Sequence, residues 1–263
     1  MATTQVYSVS CHYLWASGHF LLLVSALRYF IAWITLKSVS AWWYKASFTG
    51  ALISYAIVCQ KSLGTPQPNA AFIRRAMLDE NVQYFLLAFF WWSSKPITVT
   101  LLPYTIFSLF HALTFTRTTL MPQFLPPGPP SSANGAPQPH PIAKRLQVWV
   151  KANYDTAMRV VAYTELVIFV RVVLGAVTLQ NSLISPIIYA HFLRQRYYQS
   201  AFTREAIAAT AGRIDRFVRK PGNPPMAVQV WEKVQMLTGR WAGTTLTPNP
   251  APAAAAAGAA PRR

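Results

Sequence analysis

The sequence predicts an all-α integral membrane protein made of helical hairpins. It expects about four full spans plus two shorter proline-broken segments, followed by cytosolic amphipathic helices. Three observations carry this. The chain has 263 residues, of which 53% are apolar and 12% charged, roughly half the charge of an average soluble domain. The charge is missing in blocks about as long as a bilayer is thick. What remains is lopsided: 24 Lys and Arg against 7 Asp and Glu, with eleven of the 24 after Leu193.

The first block, 14–36, has Arg28 as its only Lys, Arg, Asp or Glu, and the second, 41–59, has only Lys45. Both suit helices of about 20 apolar residues, the length a bilayer core demands. Apolar residues fill every face, as in Phe20-Leu21-Leu22-Leu23-Val24, and a helix apolar all round belongs in lipid or in a large core. Residues 1–27 hold no Lys or Arg. A signal peptide wants a basic start, so a retained helix is expected instead. Trp15, Trp33, Trp42, Trp43, Tyr44, Trp91 and Trp92 fall near segment ends or breaks, as an interfacial aromatic belt would place them.

The third block, 81–116, carries only Lys95 and is too long for one span, since thirty-odd residues of straight helix reach about 50 Å. Ser93-Ser94-Lys95-Pro96 supplies a break, because proline lacks the backbone donor and disfavours helix just before itself. Residues 160–193 repeat the pattern: an apolar piece to Leu179, polar Gln180-Asn181-Ser182, then a shorter piece containing Pro186.

This gives an organisation of N-terminal membrane hairpins (1–116), a Pro-rich loop (117–156), C-terminal membrane segments (157–193), a basic amphipathic tail (194–244) and a disordered Ala/Pro-rich end (245–263). Residues 121–143 hold eight of the twenty prolines, too many for a packed core. Lys and Arg favour the cytosolic side in short loops, so the tail and the loop with Lys61, Arg74 and Arg75 are expected in the cytosol, as are both termini. The side of 117–159 stays open. Four full spans place it in the lumen, whereas three hairpins (14–60, 83–116, 160–193) place it in the cytosol.

Within the tail, Ile207, Ala211, Ile214 and Val218 recur at helical spacing, with Phe217 alongside and Arg204, Arg213, Arg216, Arg219 and Lys220 elsewhere. After Pro224-Pro225, a favourable helix entry, Val230, Val234, Leu237 and Trp241 form a second stripe beside Trp231. Basic residues opposite such stripes describe helices lying in a membrane interface. Packing on the bundle or on each other is the alternative. The expected membrane- or partner-binding residues are therefore Arg213, Arg216, Phe217, Arg219, Lys220, Val230, Trp231, Val234, Leu237 and Trp241. The same charge suits phosphate, but no base-stacking or groove-reading motif accompanies it, so nucleic acid is not expected.

No GxGxxG, P-loop, HExxH or GxSxG motif occurs, and no enzymatic activity or cofactor is expected. His12 and His19 share a helix face without a third ligand nearby. Cys11 and Cys59 form no CxxC pair and read as small apolar residues, and Asp79-Glu80 reads as an exposed helix segment. The intramembrane charges Arg28, Lys95, Glu165 and Arg171 are functional candidates and would carry the alternative reading, a transporter or channel. Glu165 and Arg171 lie too far apart around one helix to pair, which leaves Arg28 or Lys95 as partners for Glu165.

Two stretches carry a family resemblance. Leu78-Asp79-Glu80-Asn81-Val82-Gln83-Tyr84-Phe85-Leu86-Leu87 is followed by Ser94-Lys95-Pro96-Ile97-Thr98 and Phe107-Ser108-Leu109-Phe110-His111-Ala112. Ile184-Ser185-Pro186-Ile187-Ile188-Tyr189-Ala190-His191-Phe192-Leu193-Arg194-Gln195-Arg196-Tyr197 is the second, with His191 where the family usually has Arg. Together they resemble the transmembrane protein 33 family, which includes the fungal pore-membrane nucleoporins. The resemblance covers roughly 10–240. It implies a non-enzymatic, tetra-spanning protein of the endoplasmic reticulum membrane and nuclear envelope that takes part in nuclear pore complex distribution or assembly; membrane shaping is expected from short hairpins and interfacial helices at 203–241, which would add area to the cytosolic leaflet. It also implies association with reticulon-type membrane proteins and nuclear pore components. In the fungal branch it implies a C-terminal amphipathic region, by position 203–241, that meets membrane and a nuclear import receptor.

Overall fold

A computed structural model describes residues 2–126, 128 and 138–243, and among these there is no strand. The expected disordered end, 245–263, and most of the proline linker lie outside the described residues. Ten α-helices follow one another: α1 (Ala2–Ile34), α2 (Ala41–Leu63), α3 (Ala70–Leu78), α4 (Glu80–Ser93), α5 (Leu101–Phe115), α6 (Met121–Phe124), α7 (Pro141–Val177), α8 (Ile184–Gln199), α9 (Ala201–Val218) and α10 (Pro225–Gly243). A 3-10 turn at Thr98–Thr100 leads into α5, and a π-turn at Thr116–Leu120 joins α5 to α6.

Local chemistry sets the boundaries. Ser40 caps α2, its hydroxyl accepting from Trp42 N. Asn69 caps α3 by accepting from Phe72 N at 2.7 Å. Asp79 caps α4, its Oδ1 accepting from Asn81 N at 2.8 Å and Val82 N at 3.2 Å. Each satisfies orphan donors of a first helical turn. The third apolar block does break at the serine-proline stretch, α4 ending at Ser93. The fourth breaks at Thr178–Leu183, where Leu179 takes φ 57. One boundary differs from expectation. Helix α7 begins at Pro141, well inside the stretch read as loop to 156. Pro141 sits at the first helical position, where its missing N–H costs nothing.

The helices of residues 2–207 form one compact unit. Their directions follow from which residues meet. Helices α1 and α5 touch at His12–Phe115, His19–Ser108 and Tyr29–Thr98, a register that only an antiparallel pair produces. Helices α2 and α4 meet at Thr49–Trp92 and Tyr55–Tyr84, again antiparallel. Helices α4 and α8 meet at Glu80–Arg196, Tyr84–Phe192 and Trp91–Tyr189. Direction therefore alternates through α1, α2, α4, α5, α7 and α8. Three hairpins result, with turns 35–40, 94–100 and 178–183 gathered at one end, here the turn end. The opposite end receives 64–79, 116–140 and the exit of α8 toward the tail. Of the two arrangements the sequence left open, this packing matches the three hairpins.

Hairpin α1–α2 closes tightly. A Cβ on Gly50 would fall 2.5 Å from Gly18 O and 2.7 Å from Leu22 N, and one on Gly18 would fall 2.7 Å from Gly50 O. Only glycine permits that approach, as at small-residue crossings in membranes. Ser54 Oγ donates across it to Trp15 O at 2.8 Å.

Three helical stretches are long and apolar enough to cross a bilayer: Val9–Ile34, Thr98–Phe124 and Pro141–Val177. Helix α2 has 23 residues. Helices α4 and α8 have 14 and 16, or about 21 and 24 Å at 1.5 Å per residue, short of a hydrocarbon core of about 30 Å. The all-round apolar pattern divides between two environments. Leu14, Val24, Leu27, Phe89, Val167, Val170 and Leu174 face outward. Inside lies a core rich in aromatic rings: Tyr44, Phe48, Tyr84, Trp91, Tyr104 and Tyr189 are fully or almost fully buried. Tyr44 and Trp91 are thus core residues rather than part of the aromatic belt, while Trp33 and Trp42, flanking the first turn, stay exposed.

Candidate membrane- and partner-binding site

Residues 208–243, the described part of a second compact unit, hold six Lys and Arg against two acids. The last turns of α9 and the whole of α10 form a helical hairpin there. Gly222 has φ 98, a left-handed conformation that glycine adopts without strain. Asn223 Nδ2 donates to Phe217 O at 2.6 Å and Val218 O at 3.1 Å, satisfying carbonyls at the end of α9. Arg219 then clamps the two helices, its Nε donating to Asp215 Oδ1 at 3.0 Å and its Nη2 to Glu232 Oε1 at 3.2 Å. Its hydrogen bonds to Asp215 and then Glu232 push the Arg219 guanidinium above its usual range. Trp231 Nε1 donates to the same Asp215 oxygen at 3.1 Å.

The structure therefore divides the ten residues expected to bind membrane or partners. Arg219 and Trp231 hold the hairpin together. Phe217, Val230, Val234, Leu237 and Trp241 are exposed, and Lys220 Nζ lies 5.8 Å from the Phe217 ring centre. Arg213 and Arg216 are exposed on α9, and Arg216 Nε donates to Gly212 O at 3.2 Å. At 100° per residue, Val230, Val234, Leu237 and Trp241 fall in one narrow stripe of α10, with Lys233 and Arg240 along one flank and Glu232 on the far side. Met226, 72% exposed, extends the stripe by a turn. The sequence reading missed it although the same i, i+4 spacing reaches it from Val230.

The intramembrane charges are arranged differently from the expectation. Glu165, 1% exposed, sits inside the bundle of residues 2–207. Tyr84 Oη donates to its Oε1 at 2.6 Å, and Arg196 Nε stands 3.7 Å from the same oxygen. Arg196 also pairs with Glu80 and lies over the Tyr84 ring, 5.3 Å from its centre. The partner of Glu165 is thus Arg196, neither Arg28 nor Lys95, because α8 runs on to Gln199 and carries Arg196 back into the bundle. Glu80 is exposed as expected but is also an ion-pair member, and Asp79 is a helix cap. Arg28 lies over the Trp43 ring at 5.9 Å, Lys95 is exposed beside the turn, and Arg171 Nη2 donates to Gln180 at 3.0 Å. Glu165 is held by Arg196 inside the bundle, while Lys95 and Gln180, the acceptor of Arg171, line one cavity at the turn end.

His19 and His111 stack at 4.7 Å between ring centres, and Ser108 Oγ lies 2.9 Å from His19 Nδ1. No group of three His, Cys, Asp or Glu suited to a metal ion occurs among the described residues.

With this geometry in hand, likeness to known proteins is informative. Nucleoporin POM33 of Chaetomium thermophilum is 36% identical over 235 residues, covering 84% of this chain and 82% of its own. Tetra-spanning protein 1 of Schizosaccharomyces pombe is 33% identical, covering 83% and 80%. Human transmembrane protein 33 is 25% identical, covering 80% and 81%. No solved structure matches. The family model described as transmembrane protein 33/nucleoporin POM33 matches residues 2–244, and with two relatives above 30% identity over most of their length, this chain belongs to that family.

Proposed function

We propose that this protein is a non-enzymatic component of the endoplasmic reticulum membrane and nuclear envelope. In this reading it shapes membrane and contributes to the distribution or assembly of nuclear pore complexes, and α9–α10 binds the bilayer surface or partner proteins. The observation that carries it is the exposed stripe of α10, Met226 to Trp241, flanked by Lys233 and Arg240. A helix with that pattern lies in the headgroup region with its apolar side in the acyl boundary, and each basic residue near an anionic surface adds about 1 kcal/mol. The long stems of Lys233 and Arg240 reach outward from the rim of such a stripe.

The bundle supports the same reading. Basic residues of its connections and helix starts, Lys61, Arg74, Arg75, Arg117, Lys144 and Arg145, lie toward the end from which the tail departs, while the other end has Lys37 and Lys95 in its turns and Lys45 and Arg171 on the adjoining helices. The positive-inside rule makes the first end cytosolic, which puts both termini there. Helices α4 and α8 stop short of that end. Amphipathic α3 and the start of α9 follow them, adding area to the cytosolic leaflet. Reticulon-type membrane proteins and pore components are the proposed partners, with a nuclear import receptor on the basic tail.

Full-length protein reconstituted into giant vesicles from which a membrane tube is drawn tests the shaping role. The protein should concentrate in the tube relative to the flat vesicle, and Val230→Asp with Leu237→Asp should reduce that preference several-fold. Equal density on tube and vesicle contradicts it. A fluorescently tagged chain should mark the nuclear rim and tubular network.

A further inference from the structure

We propose that the groove between α4 and α8 is a sterol-binding site in which Gln83 Oε1 accepts the sterol hydroxyl. Helices α4 and α8 touch along their inner sides through Tyr84–Phe192 and Trp91–Tyr189. On the outer side they leave a groove of about 460 Å3 lined by Gln83, Leu86, Phe90, Ile187 and Ile188. It opens sideways, since Leu86 is 46% and Ile187 69% exposed on the flank that faces acyl chains.

The polar lining of the groove is Gln83 and Gln195 at one end and His191 about a turn further in. Gln83 is 8% exposed, and its Nε2 donates to Met77 O at 3.0 Å. Its Oε1 is buried without a hydrogen-bond partner. Buried acceptors of this kind are costly to leave unpaired. What the position lacks is a donor. Gln83 lies in the first turn of α4, near the level at which that helix emerges. From there the groove runs inward to Phe90, seven residues or about 10 Å along the axis. Its occupant is therefore a slender apolar body with a hydroxyl or N–H at the interfacial end.

Charge narrows the class. An acceptor oxygen repels a phosphate, and the nearby cation Arg196 is already engaged by Glu80 and Glu165. An uncharged lipid with one hydroxyl fits, and walls of Ile187, Ile188 and Phe90 suit a rigid ring body better than two mobile chains. A sterol hydroxyl donates to Gln83 Oε1 while its rings lie along the groove.

The test uses the full chain in phosphatidylcholine nanodiscs with a tritiated, photoreactive 3β-hydroxysterol. Labelling should saturate, map to peptides of α4 and α8, and be competed at least tenfold better by unlabelled sterol than by its 3α epimer. Gln83→Leu should weaken binding at least tenfold. Ile187→Trp, a change on the lipid-facing wall that leaves the interior untouched, should narrow the groove and abolish saturable labelling. It decides the matter if Gln83→Leu fails to fold. Labelling that does not saturate, that diacylglycerol or phospholipid competes as well as sterol does, or that persists in folded Gln83→Leu or Ile187→Trp protein overturns the proposal.

Discussion

Glu165 and Arg196 show how a chain with little charge uses what it places inside. A buried ion pair gains little over well-packed apolar groups, but removing one partner strands the other at a cost of about 3–5 kcal/mol. Arg196→Met should therefore destabilise the bundle by that amount, read as a lower midpoint of thermal unfolding in detergent. Glu165→Gln, which retains an oxygen for the Tyr84 hydroxyl at 2.6 Å, should cost less, and the double change Glu165→Gln with Arg196→Met less than Arg196→Met alone. Equal, additive losses would show that the two side chains act independently. None of this was legible in the sequence. Arg196 reads there as one more basic residue of the tail, and only the length of α8 and its antiparallel run along α4 bring it to Glu165. Tyr44 and Trp91 were misread for a related reason. Position near a segment end says nothing about which way a ring points.

Between helices, backbone proximity decides the outcome of substitutions. Gly50→Leu must displace the backbone of α1 around Gly18 and Leu22. Overpacking typically costs about 1–3 kcal/mol or more, so this variant should lose monodisperse elution or much of its thermal stability. Gly212 in α9 meets nothing within 4 Å of a would-be Cβ. Gly212→Ala should leave fold and elution unchanged and raise helix stability by up to about 1 kcal/mol, seen as higher helical ellipticity on heating. The hairpin of α9 and α10 depends on Arg219 meeting Asp215 and Glu232. Arg219→Met should speed amide hydrogen exchange several-fold across 219–232 while leaving α4 and α8 protected. The existence of α9 and α10, their stripes and the breaks at Ser93-Ser94-Lys95-Pro96 and Gln180-Asn181-Ser182 could all be read from period and proline placement. The first four turns of α7 could not. Lys144, Arg145, Lys151 and Asp155, following directly on the prolines, read as solvated loop, yet Ile142, Leu146 and Trp149 keep helical spacing, and Trp149 lies beside Phe110 at 6.3 Å.

For the molecule as a whole, blocks of missing charge announced the membrane, while the sequence alone could not choose between four spans and three hairpins. What favours the hairpins is tertiary: the registers of α1 on α5, α2 on α4 and α4 on α8, which no single segment encodes. Those registers put residues 64–79, the proline linker's ends and the departure of the tail at one end of the bundle. Gly128 N donates to Gln138 O at 2.8 Å, holding the linker's ends together there. In the proposed orientation, which rests on the positive-inside rule, this end is cytosolic and the three short turns are lumenal. Single-cysteine labelling with a membrane-impermeant maleimide in sealed microsomes, on a chain with Cys11 and Cys59 replaced, measures this directly. The account predicts that Gln138→Cys and Lys220→Cys react in intact vesicles, and that Ser38→Cys and Ser182→Cys react only after detergent. Protection of Gln138→Cys in intact vesicles, or free reaction of Ser182→Cys, would contradict it.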